Sequence, residues 1–331
     1  MNRKQIDILG ILRNNVAWVL LIVFSIIFAC ISPNFFSITN IINILNQSSY
    51  TIITALGISF VMMAGEMDLS VGYAISLNGV ISAILLTQVG LPSVVVVIIS
   101  LALGVLLSVA NMLIAHKLKL QLLMATIGTM TIFQGISYVL SQSKTISGFP
   151  VGFKAIGQGF VGPIPIPVLI MFILFLIVSF ILNRTYIGRY VFAMGGNIEA
   201  TRLAGINVFG MKMFIATIAG LMTGLAAIIL CARLGSIQAN SGAGMEFTIL
   251  TAVLLAGVSV RGGEGKISCV VAGVLILSIL ANGMQLAGLN VYYQFIAKGA
   301  IMLGAIGFDV YQFNRKTAVV KRDSSKKGVV G

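Results

Sequence analysis

Glu66 and Asp68 stand two residues apart in Gly65-Glu66-Met67-Asp68-Leu69-Ser70-Val71-Gly72, between two long apolar runs, in a chain with only eight carboxylates. Carboxylates so placed can do one of three things. They can handle a proton or a cation inside a membrane. Asp68 can instead cap a helix that begins near Leu69, accepting its first N–H groups. Or the pair can fix a bend that neighbouring helices keep in order to shape a pore. Their place at the edge of an apolar run favours the cap, and Gly65 and Gly72 suit a tight turn or a close helix approach. Other chemistry is sparsely supplied. His116 is the only histidine, and beside Lys117 and Lys119 at the end of an apolar run it reads as an interfacial residue rather than a base. No catalytic set and no metal-ligand spacing is present; Cys30, Cys231 and Cys269 lie far apart in apolar sequence. Gly265-Lys266 ends like a phosphate-binding loop. That loop needs a Gly where Val260 stands and a Ser or Thr where Ile267 stands, so the chain does not bind ATP by it.

These side chains must be positioned by a membrane-spanning frame. Hydrophobic residues make up 58% of the 331 and charged residues 9%, with a mean hydropathy of +1.07. A soluble domain of that composition would expose a largely apolar surface and aggregate. A spanning helix takes about 20 apolar residues. Unbroken runs such as 168–182 select helices over the alternating strands of a barrel. Runs at about 16–32, 44–64, 72–90, 93–114, 121–142, 166–183, 213–232, 248–260, 267–287 and 292–310 predict an all-α polytopic membrane protein of about ten transmembrane helices. The run 248–260 is short for a span. Arg3, Lys4 and Arg13 precede the first run, which reads as an uncleaved span rather than a signal peptide.

The net charge of +13 reads as basic residues flanking spans on the cytoplasmic side, not as a nucleic-acid surface. With the N-terminus inside, only Lys144, Lys154 and Arg233 fall outside, and Lys298 lies within the last run. Both termini are then cytoplasmic, with an N-terminal segment 1–15, a membrane domain 16–310 and a basic tail 311–331. Two connections exceed turn length. The external one, about 143–165, is rich in Gly, Ser and Pro. The cytoplasmic one, about 184–212, carries Gly196, Asn197, Glu199, Ala200, Arg202 and Gly205. Residues 197–204 read as a short helix with Asn197 as N-cap and Gly205 as its stop. Glu199 suits the N-terminal dipole, and Leu203 with Ile206 makes an apolar side. Such a helix either docks a partner or lies on the bilayer.

Polar residues inside the runs are Asn78, Gln88, Asn111, Gln134, Asn282 and Gln285. They either line a path for a hydroxyl-rich solute or bond helix to helix. Gly262-Gly263-Glu264-Gly265 is a connector or part of a re-entrant element. Val61-Met62-Met63-Ala64-Gly65 is echoed by Val253-Leu254-Leu255-Ala256-Gly257; repeats of this kind occur in transporters, but coincidence in apolar sequence is the expectation.

From about residue 40 to 310 the chain resembles the permease subunit of ribose-type ABC importers, the transporters of simple sugars. The resemblance is carried by the Gly65–Gly72 segment, similar to the family's Gly-Gly-Ile-Asp-Leu-Ser-Val-Gly, and by Ile127-Gly128-Thr129-Met130-Thr131. It continues through Ile187-Gly188-Arg189-Tyr190, Gly195-Gly196-Asn197, Leu203-Ala204-Gly205-Ile206-Asn207, Arg233-Leu234-Gly235 and Gly262-Gly263-Glu264-Gly265. It implies a type II ABC importer-like permease of the bacterial plasma (inner) membrane, paired with a second permease subunit as a homo- or heterodimer. Two cytoplasmic ABC ATPase subunits and an extracytoplasmic sugar-binding protein would complete the system. This chain would then be no enzyme and hold no cofactor, ATP and Mg residing on the partner ATPase. The 184–212 loop would be the coupling element that enters a groove on that ATPase, with Glu199, Ala200 and Gly205 at its core. Asp68 and Ser70 become part of a structural turn, while Glu66 departs from the pattern, standing where the family usually has Gly. The implied cargo is ribose or another monosaccharide. Nucleosides or a furanosyl signal molecule are the alternative within the class. A proton-coupled secondary transporter using Glu66 and Asp68 is the alternative outside it.

Overall fold

The computed structural model describes residues 16–327; the segment 1–15 and the last residues of the tail, 328–331, lie outside the described residues. Each of the ten apolar runs becomes a helix. In chain order the helices are α1 Val16–Ile31, α2 Ile38–Met63, α3 Val71–Thr87, α4 Ser93–Leu118, α5 Leu122–Ser141, α6 Val151–Gln158, α7 Ile166–Arg184, α8 Tyr186–Gly196, α9 Ile198–Leu203, α10 Val208–Leu234, α11 Met245–Leu255, α12 Ile267–Leu286 and α13 Val291–Lys327. Seven of them are long and apolar enough to cross a bilayer, while α1, α3 and α11 are shorter. Local chemistry sets the boundaries. Pro92 and Pro165 stand at the N-caps of α4 and α7, where a missing N–H costs nothing. Lys119 and Gln142 turn left-handed to close α4 and α5.

At the centre lie α2 and α10, each with 72% of its most apolar stretch buried, against 17% for α4, whose outer side is left for lipid. A buried helix needs its polar side chains satisfied internally. In α2, Thr54 Oγ1 donates to Tyr50 O at 2.9 Å and Ser59 Oγ to Leu56 O at 2.7 Å. The α4–α10 crossing is built on glycine. A Cβ on Gly104 would overlap the Gly220 carbonyl, and one on Gly224 would press on the Ser100 carbonyl. Small residues four apart let the two backbones touch.

Two spans are interrupted. Before α3, residues 64–70 are not helical, yet they lie inside the bundle: Ser70, 1% exposed, accepts from Asn111 Nδ2 of α4 at 2.7 Å. Asn111 is seven residues, about 10 Å, from the end of α4. The second interruption precedes α11. Ile237 packs beside Gly79 of α3, whereas Gly242 packs on Gly72, one α3 face and about 10 Å deeper. Residues 238–244 thus dip back into the bundle as turns before α11 starts. The two half-helices begin against one another.

The two segments of the short echo end their helices alike. Gly65 and Gly257 both adopt left-handed conformations, φ 82° and 78°. Their N–H groups bond Met62 O and Leu254 O, and the next residues bond Val61 O and Val253 O. The same C-cap also closes α9 at Gly205 and α12 at Gly288, so it is a common helix ending and no mark of a repeat. The 143–165 connection is more ordered than its composition suggests. β1 Ile146–Ser147 pairs with β4 Ser236–Ile237, β2 Phe160–Val161 pairs with β3 Ile164–Pro165, and α6 buries Phe153 completely.

Candidate functional site

The end of the bundle that carries 184–212 is organised around four glycines. A Cβ on Gly195 of α8 would overlap Met63 O and Gly263 N, and one on Gly262 would overlap the Gly65 backbone. Gly263 N–H donates to Met63 O at 2.8 Å. The last turn of α2, the last turn of α8 and the 256–266 turn therefore touch backbone to backbone. No side chain separates α8 from the ends of the two interrupted spans at these contacts. Gly65, Gly262 and Gly263 all carry positive φ, which only glycine adopts without strain.

Beyond α8, Asn197 Oδ1 accepts from Ala200 N–H at 2.9 Å and caps α9. Gly205, φ 81°, follows the helix. Glu199 and Arg202 pair at 3.2 Å with both side chains more than half exposed, and Leu203 is 88% exposed. Thus α9 presents its charged pair and a leucine outward while Thr201 is buried beneath. A cavity of about 380 Å³ separates α9 from the start of α10, lined by residues that include His116, Arg202, Phe209 and Lys212. His116 packs against Phe209 with the rings tilted by 42° and their centroids 4.5 Å apart.

Glu66, which departs from the family's pattern, has its partner far along the chain. Its carboxylate is ion-paired with Lys212 in the first turns of α10, and both side chains are about four-fifths buried. Glu66 ties the Gly65–Gly72 segment to the helix that leaves the 184–212 loop. Asp68 behaves differently from a simple helix cap. Its Oδ1 accepts from Ser70 N–H at 2.7 Å and from Ser70 Oγ at 2.6 Å, a local Asx turn. The helix starts at Val71 rather than near Leu69, with Ser70 as N-cap. The Leu69 N–H reaches Thr126 Oγ1 of α5 at 3.2 Å.

The polar residues of the spans divide into two sets. Asn78 is fully buried; its Nδ2 donates to Ser100 O at 2.8 Å and its Oδ1 accepts from Ser100 Oγ at 2.7 Å. With Ser100 Oγ also 3.1 Å from Gly224 O, Asn78 fastens α3 to α4 and α10. Asn111 is likewise enclosed on Ser70. Gln134 is half-buried on α5 and Gln88 is exposed at the end of α3. Asn282 and Gln285 face open space instead. They join Asn40, Asn43, Gln47, Arg233 and Leu286 around a cavity of about 460 Å³ at the end of the bundle opposite α9. Asn40 and Asn282 exchange hydrogen bonds at 3.0 and 2.9 Å across its floor. Asn40, Asn43 and Gln47 recur at helical spacing on one face of α2, a signal legible in the sequence once that face is known to be open.

Glu246 was not singled out by the sequence reading. It lies in the first turn of α11, 3% exposed, its Oε1 accepting from Gly244 N–H at 3.1 Å. The signal was a carboxylate two residues after Gly242-Ala243-Gly244, just before the short run.

A many-spanned helical bundle with interrupted spans, a polar cavity at one end and a capped surface helix at the other is a membrane permease. A family described as "Branched-chain amino acid transport system / permease component" matches residues 40–306, and the chain belongs to it. The chain is 38% identical to the ribose import permease protein of Haemophilus influenzae over 304 residues, 91% of this chain and 94% of that protein. It is 34% identical to the ribose import permease protein of Bacillus subtilis, over 93% of this chain and 96% of that protein. It is 35% identical to the L-arabinose transport system permease protein of Escherichia coli, over 91% and 92%. No solved structure matches the chain.

Proposed function

We propose that this chain is the membrane permease subunit of an ATP-driven importer that moves a monosaccharide delivered by an external binding protein. The observation that carries the reading is its near full-length likeness to permeases that import ribose and L-arabinose. The cavity opposite α9 suits a hydroxyl-rich cargo. Its seven lining residues are five amide side chains, Arg233 and Leu286. Amides offer both donors and acceptors, as sugar hydroxyls require.

Two permease subunits, identical or homologous, would sit in the bacterial inner membrane with both termini cytoplasmic. ATP and Mg would be held by the partner ATPase. Its closure on nucleotide would press on α9, and the glycine contacts would carry that motion into the two interrupted spans, switching the path between two openings. The binding protein has already selected the sugar, so the permease needs only weak contacts along the path.

The test of cargo is to purify the assembled importer with its binding protein and identify the released ligand by mass spectrometry. A pentose or hexose is the expected result. A nucleoside or an amino acid would overturn the sugar assignment.

A further inference from the structure

The interrupted spans meet at a buried carboxylate. Glu246 Oε1 is held by the Gly244 N–H, but Oε2 has no partner. Oε2 lies so close to Gly72 that a Cβ there would overlap it, and the same Cβ would overlap Gly242 O. Ser76 Oγ of α3 accepts from Gly242 N–H at 2.8 Å and fastens the 238–244 turn to α3. The N-cap positions of α3 and α11 are Ser70 and Gly244, and neither supplies a side-chain cap. The Met245 N–H is spent on Gly242 O at 3.1 Å, so the meeting point holds one buried acceptor, Oε2, without a partner.

What lies outside this junction is constrained by its depth. Ala243 and Gly244, which are not helical, and Phe247, on the first turn of α11, are exposed. Non-helical backbone inside a bilayer cannot face lipid; it is tolerated against protein or along a water-filled cavity. Glu246 thus sits one residue layer behind a surface that must be a path or a protein contact. A lone buried carboxylate at such a place marks a solute pathway more often than a structural post.

We infer that Glu246 is a solute-contacting residue of the path. When α3 and α11 part, Gly72 uncovers Oε2, and the carboxylate accepts a hydroxyl hydrogen bond from a neutral sugar. In the closed arrangement Gly72 occupies that place. This assignment rests on the sugar-importer reading.

The test uses the full importer, with its ATPase and binding protein, in liposomes. Sugar uptake and ATP hydrolysis are measured together for the wild type, Glu246→Gln and Glu246→Asp, with the parent sugar and its mono-deoxy analogues. Glu246→Gln keeps the side chain's shape. It is expected to retain binding-protein-stimulated ATP hydrolysis within about twofold while sugar moved per ATP falls about tenfold or more. The hydroxyl whose removal slows wild-type uptake should cease to matter in Glu246→Gln, and Glu246→Asp should fall between. An unchanged ratio of sugar to ATP in Glu246→Gln overturns the inference. So does a parallel loss of assembly and hydrolysis in both variants, which would make Glu246 a folding residue. A wild-type importer that hydrolyses ATP but moves no sugar would fail the broader reading instead, and the assignment with it.

Discussion

Glu199→Lys is expected to abolish uptake and detach the ATPase while leaving the permease itself folded. The two halves of that expectation have separate causes. Glu199 and Arg202 form an exposed i,i+3 pair at 3.2 Å, and such pairs stabilise a helix by about 0.5 kcal/mol or less. Losing the pair, and a favourable charge at the start of α9, costs the chain's own stability little. A reversed charge buried against a partner costs several kcal/mol through like-charge contact, which is about a hundredfold or more in association. The readouts are ATPase copurification, sugar uptake and thermal unfolding of the isolated permease. Uptake and copurification at wild-type levels would remove α9 as the docking element.

Gly195→Val should fail for the opposite reason, through packing within the chain. Its side chain would enter the space held by Met63 O and Gly263 N, which are backbone atoms and cannot rotate aside. Overfilling a packed site commonly costs about 1–3 kcal/mol. Three segments must separate here, so the loss belongs at the upper end, with uptake at background and a lower unfolding temperature. Gly196→Ala is the internal control. A Cβ at Gly196 meets nothing within 4 Å, so near wild-type stability is expected one residue away. Equal tolerance at both positions would mean that the glycine junction does not transmit force.

Much of this architecture was legible in the sequence, because ten apolar runs separated by proline, glycine and charge leave few arrangements open. The cap at Asn197 was readable for a similar reason: an N-cap amide and a following helix are neighbours in the chain. What could not be read depended on partners far along it. The pairing of Glu66 with Lys212 spans 146 residues. The contact of Gly195 with Met63 and Gly263 involves backbone atoms that carry no compositional signal. The short run beginning at 248 is short for a span, and the structure starts its helix at Met245 after turns at 238–244 that pack into the bundle. In the 143–165 connection, glycine and proline concealed α6. There Gly157 is needed because α6 lies on the backbone of Ala232 and Arg233. Of the polar residues in the spans, sequence could name them but not sort them. Asn78 ties α3 to α4 and Asn111 donates to Ser70, whereas Asn282, bonded to Asn40, and Gln285 border a cavity.

The central claim is that ATP hydrolysis by a partner, acting through α9, drives sugar through this chain. Uptake of labelled sugar into liposomes containing the purified permease, ATPase and binding protein tests it most directly, with ATP supplied in one arm and only an imposed proton gradient in the other. Accumulation should require both ATP and the binding protein, be indifferent to an uncoupler, and vanish with Glu199→Lys. Accumulation driven by the proton gradient without ATP would contradict the account.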